Sequence, residues 1–133
     1  MKLHCYCDGG YNNLTKENGY CSWCVYAVDD TGHKRLVNKK SRIPLPNINS
    51  SNQAEYSALI LLLEGIGRYY NPEFEIIIYT DSKLVEGQMS GKFKVKSANL
   101  IDKYNFAKKI FNQYRNIRIE WVTRKVMLEI FGH

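Results

Sequence analysis

The segment YTDSKLVEGQMSGKFKVKSANL, residues 79–100, joins a buried strand to a helix and decides how the chain folds. It starts at the end of the apolar run FEIIIYT, residues 74–80, which is short enough to be a strand buried on both faces. Asp81 follows that run directly and precedes a short helical pattern that Gly91 ends. A carboxylate in this position either caps the next helix or faces a ligand.

Hydrophobic periodicity on both sides of this segment predicts the order of the other elements. Three strands precede a long amphipathic helix that Ser51 or Asn52 caps, and a second long helix and a last strand follow Asp81. A polar loop, residues 9–19, separates the first two strands. The predicted strands are residues 2–8, 20–28, 34–43, 74–80 and 117–122, and the long helices are residues 52–70 and 97–114. This order predicts a mixed α/β sheet with helices packed on it.

Length and composition limit the classes of function. The 133 residues suit one domain, residues 1–133, and 44% of them are hydrophobic, enough for an ordinary core. The formal charge of +6 favours an anionic partner. No run is long and apolar enough to span a membrane, and the first residues lack the apolar core of a signal peptide. We therefore expect a cytoplasmic protein with no membrane partner and no obligate protein partner.

Four cysteines lie within the first 24 residues, in the patterns C-x-C and C-x-x-C. The spacing raises the possibility of a zinc site. Both pairs fall in strand-like sequence, where Cys5 and Cys7 share a face while Cys21 and Cys24 point to opposite faces. Buried, reduced thiols are the alternative that this alternation favours.

Three of the thirteen acidic residues stand at positions where the predicted fold would bring them together. Asp8 ends the first strand, Glu55 lies in the first turn of the long helix on its apolar stripe, and Asp81 ends the fourth strand. Each has a structural alternative: Asp8 as a turn former, Glu55 as a partner of the helix dipole, and Asp81 as a helix cap. If the two strands are neighbours, the three carboxylates share one cleft. Carboxylates so near to one another repel each other and need a cation, and oxygen ligands suit Mg²⁺ or Mn²⁺.

The motifs CDGG, NQAEY and YTDSKLVEGQMSGKFKVKSANL, in this order and spacing, resemble the type I ribonuclease H family, in its compact branch without a basic protrusion. The resemblance extends from about residue 3 to the last strand. It implies a ribonuclease H-like fold, with a five-stranded mixed sheet and helices packed on both faces. It also implies a metal-dependent endonuclease that cuts the RNA strand of RNA–DNA hybrids with two bound ions, Mg²⁺ or Mn²⁺.

The resemblance assigns roles residue by residue. Asp8, Glu55 and Asp81 match the family's first three catalytic, metal-binding acids. The positions that match substrate contacts are Gly9 and Gly10 in a turn near the RNA strand, Ser51 and Asn52 in the minor groove, and Arg124 after the last strand. The lysines that follow Asp81, namely Lys92, Lys94 and Lys96, alternate along the chain and are expected to contact phosphates from one face of an extended segment.

The tail departs from the family pattern. An Asn and a fourth acid are expected three and seven residues after Arg124, where this chain has Met127 and Phe131. Glu129 and His133 are the nearby groups that could replace the acid, and Glu129 is the candidate for a fourth catalytic carboxylate. A weakened site predicts activity that is low in Mg²⁺ and higher in Mn²⁺, with a gain from Phe131→Asp.

Three functions remain open at this point. The first is a hybrid-cutting endonuclease, which the three intact acids favour. The second is a catalytically weak or inactive module that binds hybrids or structured nucleic acid, which Phe131 favours. The third is a nuclease of the same fold that acts on DNA, against which Ser51 and Asn52 weigh because such contacts can sense the 2′-hydroxyl of RNA.

Overall fold

The computed structural model describes residues 1–12 and 17–132, with the side chains of residues 17 and 18 left out. Its described part contains five strands and four helices. In chain order they are β1 (Lys2–Asn12), β2 (Glu17–Val28), β3 (Lys34–Pro44), α1 (Ser51–Ile66), β4 (Glu75–Thr80), α2 (Lys83–Met89), α3 (Ala98–Phe111), β5 (Ile117–Trp121) and α4 (Arg124–Phe131). The middle of the predicted loop at residues 13–16 and the candidate His133 lie outside the described residues.

The strands form one mixed sheet in the order β3-β2-β1-β4-β5. β1 pairs with β2 and β2 with β3 in antiparallel fashion, while β4 runs parallel to both β1 and β5. This arrangement confirms the predicted mixed sheet, and it makes β1 and β4 neighbours, which is the condition for a shared carboxylate cleft. β1 continues to Asn12 and β2 begins at Glu17, so the predicted loop is wrong at its ends. Cross-strand pairs such as Gly10 with Tyr20 hold this polar sequence in the ladder.

Helices cover both faces of the sheet, as predicted. One face carries the main core, where the buried stripe of α1, including Leu59, Leu62 and Ile66, packs on the sheet with residues of α2 and α3. The other face carries a smaller cluster made of Tyr6, Cys24, Met127 and Phe131, which α4 completes. The sequence predicts only a short tail after the last strand, but residues 124–131 form a helix that buries Met127 and Phe131.

The starts of the two helices nearest the predicted site are capped by serines. Ser50, not Ser51 or Asn52, caps α1, because its Oγ accepts a hydrogen bond from the Gln53 amide. Glu55 consequently lies one turn inside the helix and not in its first turn. Ser82 caps α2 by accepting from the Val85 amide. Asp81 is therefore not the cap of α2, and the structural alternative for this residue is wrong.

All four cysteines are buried and form no disulfide. Cys5, Cys7 and Cys21 belong to the main core, and Cys24 lies in the cluster on the other face, as the strand alternation predicted. Within the described part of the chain, the cysteines form no group that could hold a metal ion. In the same part of the chain, no helix is long and apolar enough to cross a bilayer.

Candidate active site

Asp8 and Asp81 face each other where two parallel strands separate. The last residue pair between β1 and β4 is Tyr6 with Tyr79, and each aspartate follows shortly after the paired tyrosine of its own strand. Asp8 remains in the β1–β2 ladder opposite Ser22, whereas β4 ends at Thr80. The sequence suggested that Asp8 ends its strand, but β1 continues beyond it to Asn12. Asp8 lies beyond the pairing with β4, and the two aspartates line the fork that opens there.

Gly9 lets helix α1 deliver the third carboxylate to this fork. A Cβ at Gly9 would lie 2.4 Å from the backbone carbonyl of Ala54, so only glycine permits the helix to approach this closely. The Gly9 amide donates a hydrogen bond to Glu55 Oε1 at 2.6 Å. The glycine after Asp8 thus acts through its missing side chain and through its N–H.

The resulting cluster has the geometry of a cation site. One carboxylate oxygen from each of Asp8, Glu55 and Asp81 lies within 4.8 Å of the other two. Asp8 and Glu55 are buried, with 1% and 8% of their surfaces exposed. Burial, followed by the charge of Asp81, raises the pKa of Asp8 to about 6. Burial and the two aspartates raise the pKa of Glu55 well above its usual value. Three crowded acids of this kind are stabilised by a bound cation.

Arg124 supplies positive charge to the cluster from the start of α4. Its Nη1 donates to Asp8 Oδ2 at 3.2 Å and to Asp81 Oδ2 at 3.3 Å. The arginine side chain is half exposed, while those of its two partners are largely buried. Arg124 therefore bridges the two aspartates across the fork, while its guanidinium stays partly exposed to a ligand.

Two contacts fix the position of α2 and hence of Asp81. The buried Tyr56 hydroxyl donates to Gln88 Oε1 at 2.5 Å, which ties α1 to α2. The Trp121 indole donates to the Asp81 carbonyl at 3.1 Å, which ties β5 to the same turn. Tyr56 of NQAEY and Gln88 of the segment 79–100 thus hold α1 and α2 in the positions that bring the acids together.

Two shallow grooves flank the N-terminus of α1. The first, of about 400 Å³, we call the glycine groove, and the second, of about 380 Å³, the lysine cleft. The glycine groove is lined by Gly9, Gly10, Tyr11, Asn12, Tyr20, Arg42, Ser51 and Arg124. The lysine cleft is lined by Ser50, Asn52, Leu84, Gln88, Lys94, Lys96, Ser97, Asn99 and Leu100. Ser51 and Asn52, adjacent in sequence, thus face different grooves.

The remaining predicted residues divide between these grooves and the open surface. Gly9, Gly10, Ser51 and Arg124 meet in the glycine groove, although both glycines lie in β1 and not in a turn. Lys94 and Lys96 line the lysine cleft. Lys92 does not line the cleft, and its Nζ pairs with Glu86 at 3.0 Å. The predicted extended segment with three equivalent lysines is wrong, since Lys92 lies in the turn that closes α2.

The structure does not bring Glu129 into the carboxylate cluster. Glu129 is exposed on α4, and the group of possible ligands contains Asp8, Glu55 and Asp81 alone among the described residues. Glu129 lies two positions from each of the buried Met127 and Phe131, so helical geometry directs it away from the sheet. Tyr20 and Arg42, which sequence reasoning missed, come from β2 and β3 and lack any local motif.

The raised pKa values predict how stability depends on pH without metal. Between pH 3.8 and about 6 the folded protein keeps a proton on Asp8 that the unfolded chain has lost. The contribution of Asp8 to stability is therefore fully present below this window and is lost as pH rises through it, and Glu55 acts in the same direction. We expect the melting temperature in chelator to drop between pH 5 and pH 8. Asp8→Asn should flatten this dependence, and an equal drop in both proteins would contradict the assignment.

Comparison with known proteins places the chain in a family. A family model described as reverse transcriptase-like matches residues 7–128, which include all three carboxylates and Arg124. The N-terminal ribonuclease H domain of Rv2228c from Mycobacterium tuberculosis, solved as a fusion with maltose-binding protein, superposes with a TM-score of 0.74 at 28% identity, covering 95% of this chain and 90% of that one. The chain belongs to the type I ribonuclease H family.

The full sequence of the same mycobacterial protein and the structure of one further relative are also similar over most of the chain. The "Bifunctional protein Rv2228c" of M. tuberculosis is 40% identical over 124 residues, which cover 93% of this ribonuclease H domain and 32% of the relative. The chain thus spans about a third of the length of that curated relative. LC11-RNase H1 from compost, solved in complex with an RNA/DNA hybrid, superposes with a TM-score of 0.73 at 26% identity, covering 94% of this chain and 88% of that one.

Proposed function

We propose that this chain is a metal-dependent endonuclease that hydrolyses the RNA strand of RNA–DNA hybrids. The observation that carries the proposal is the convergence of Asp8, Glu55 and Asp81 within 4.8 Å in a type I ribonuclease H domain. The hybrid bound to LC11-RNase H1 supports the choice of substrate. Hydrolysis leaves a 5′-phosphate and a 3′-hydroxyl when water attacks phosphorus and the 3′ oxygen departs.

The donor set fits divalent cations. The three side chains offer only oxygen ligands, which suit Mg²⁺ or Mn²⁺, and their mutual repulsion favours a bound positive charge. Asp8, Glu55 and Asp81 would hold the metal, and we propose two ions. When bound, such ions activate the attacking water and stabilise the charge that develops on the attacking and leaving oxygens.

The other residues of the two grooves would orient the substrate. The glycine groove adjoins the carboxylates, since Gly9 contacts Glu55 and Arg124 contacts both aspartates. The RNA strand would therefore lie along it. Ser51 and Asn52, on opposite sides of the α1 N-terminus, are suited to contact the minor groove of the hybrid and its 2′-hydroxyls.

The replacement of the family's fourth acid by Phe131 predicts a weak site. Phe131 is buried and Glu129 is exposed on α4, so we propose a cluster of three acids. A poorer ligand set should need more metal and should gain from Mn²⁺, which binds such ligands more tightly than Mg²⁺.

The test of the function is incubation of the chain with end-labelled hybrid in chelator, Mg²⁺ or Mn²⁺. We expect cleavage of the RNA strand with either ion, faster in Mn²⁺, and none in chelator. Duplex DNA and duplex RNA serve as comparison substrates. Tight hybrid binding without cleavage in any metal would instead support the binding module, which the burial of Phe131 favours. Cleavage of DNA alone would support the DNA nuclease.

The lysine cleft provides a prediction about affinity. Lys94 and Lys96 are exposed and line the cleft, so replacing both with Gln should weaken hybrid binding. The slope of log affinity against log salt should fall by about 0.9 for each phosphate that the double variant no longer neutralises. Lys92→Gln is the matched control, because Lys92 is paired with Glu86 and should leave the slope unchanged. Equal slopes for the double variant and the parent would remove the two lysines from the substrate contacts.

A further inference from the structure

A bulge in β3 sets the backbone of Arg42. Between the pairs Cys21–Ile43 and Trp23–Lys40, β2 contributes only Ser22 while β3 contributes both Ser41 and Arg42. Arg42 has φ +53°, the left-handed region that non-glycine residues rarely adopt, and it is alone in this among the described non-glycine residues. Its amide donates to Oγ of the fully buried Ser22 at 2.9 Å. Bulges often redirect a side chain, and this one holds an arginine where glycine would be less strained.

The Arg42 side chain is directed into the glycine groove by Tyr20. The guanidinium carbon lies 5.2 Å from the centroid of the Tyr20 ring. That ring lies over Gly10, where an added Cβ would come within 2.6 Å of ring atoms. Tyr20 also shares a hydrogen bond with Arg124. One tyrosine therefore contacts both arginines that line the groove.

The two arginines differ in what they neutralise. Arg124 is engaged by Asp8 and Asp81. Arg42 is exposed and forms no ion pair with a carboxylate in the described part of the chain, so its charge is directed to solvent. A guanidinium presents a planar set of donors that matches a phosphate, and stacking on Tyr20 limits the freedom that the side chain gives up on binding. The groove adjoins the carboxylates, so a phosphate held there belongs to the strand that crosses them.

We propose that Arg42 is a substrate-binding residue that holds a phosphodiester of the RNA strand next to the one that is cut. Tyr20 orients it, and the Ser22-anchored bulge sets its position. The proposal rests on the proposed function, because it assigns a contact to the substrate named there. It connects three features of the groove: the left-handed arginine, the ring over Gly10 and the buried serine opposite the bulge.

The test measures hybrid binding in excess chelator, where no cleavage occurs, for the parent and for Arg42→Gln. We expect the dissociation constant to rise about tenfold, the scale of one charged hydrogen-bonded contact. The salt slope should fall by about 0.9. Lys40→Gln, an exposed cation on the same strand, is the matched control and should change neither quantity. In Mn²⁺, Arg42→Gln should raise KM while kcat stays near that of the parent.

A second variant separates binding from folding. Arg42→Gly removes the side chain and places glycine in a backbone conformation that it adopts readily. Its melting temperature should equal or exceed that of the parent, while its hybrid affinity falls as in Arg42→Gln. If affinity falls only in variants whose melting temperature also falls, Arg42 has a structural role and the proposal is overturned. Parental affinity in Arg42→Gln overturns it as well and leaves the proposed function standing. A parent chain that neither binds hybrid in chelator nor cleaves it in Mn²⁺ overturns both.

Discussion

Asp81→Asn is expected to lower the rate of hybrid hydrolysis by about two orders of magnitude or more while the protein remains folded. The change keeps the shape of the side chain and removes the charge that, with Asp8 and Glu55, would hold the metal. A loss of this size is typical when one main electrostatic contribution to the transition state is removed. The measurement is single-turnover cleavage of labelled hybrid at saturating Mn²⁺.

In the structure, the charge of Asp81 can be removed without disturbing the start of α2. Ser82, not Asp81, caps α2, so the variant leaves the cap intact. Without metal the variant should melt at or above the parental temperature, because the repulsion among the three clustered carboxylates weakens once one of them is neutral. Mg²⁺ should raise the melting temperature of the variant less than it raises that of the parent.

Two control variants separate a loss of chemistry from a loss of stability. Asp102→Asn changes an exposed carboxylate on α3 and should leave cleavage unchanged. Ser82→Ala removes the α2 cap and should cost about 1 kcal/mol of stability. If Asp81→Asn cleaves hybrids at the parental rate, Asp81 has no part in the chemistry and the proposed site is wrong.

Phe131→Asp is expected to destabilise the protein by about 3–5 kcal/mol, the range for truncating a buried phenylalanine, before the cost of burying a charge is added. Phe131 is 9% exposed and packs with Tyr6, Cys24 and Met127. Lys39 lies over its ring at 5.8 Å, which offers the new carboxylate a partial partner. Such a loss is a large part of the stability of an ordinary domain. Urea unfolding monitored by tryptophan fluorescence measures it.

This expectation reverses the gain in activity that the family pattern predicted for the same substitution. Leu128→Asp is the matched control, because Leu128 is on the same helix and 48% exposed, and it should shift stability by less than about 0.5 kcal/mol. A Phe131→Asp protein that keeps parental stability and cleaves faster in Mg²⁺ would show that position 131 serves the metal site. The three-acid site would then be wrong.

Local patterns in the sequence were sufficient for the five strands, for the helices before the last strand and for the acids. The period of two in the strands, the period of 3.6 in α1 and the apolar run before Asp81 are properties of neighbouring residues. They predicted five strands, the long helices and the three carboxylates. The burial of the four cysteines also followed from strand alternation. These features were predictable because each depends on a few adjacent side chains and on which face they occupy.

The tertiary structure decided what lies beside those acids. Arg124 contacts Asp8 across 116 residues of sequence, and Arg42 reaches the ring of Tyr20 through a bulge that no local pattern marks. Both contacts depend on strand register, which sequence periodicity leaves open. The same holds for Phe131: family spacing predicts an acid there, but the apolar face between β1, β2 and α4 is filled by an aromatic ring. The chain alone determined which carboxylates could form a site, and packing between distant elements determined their neighbours.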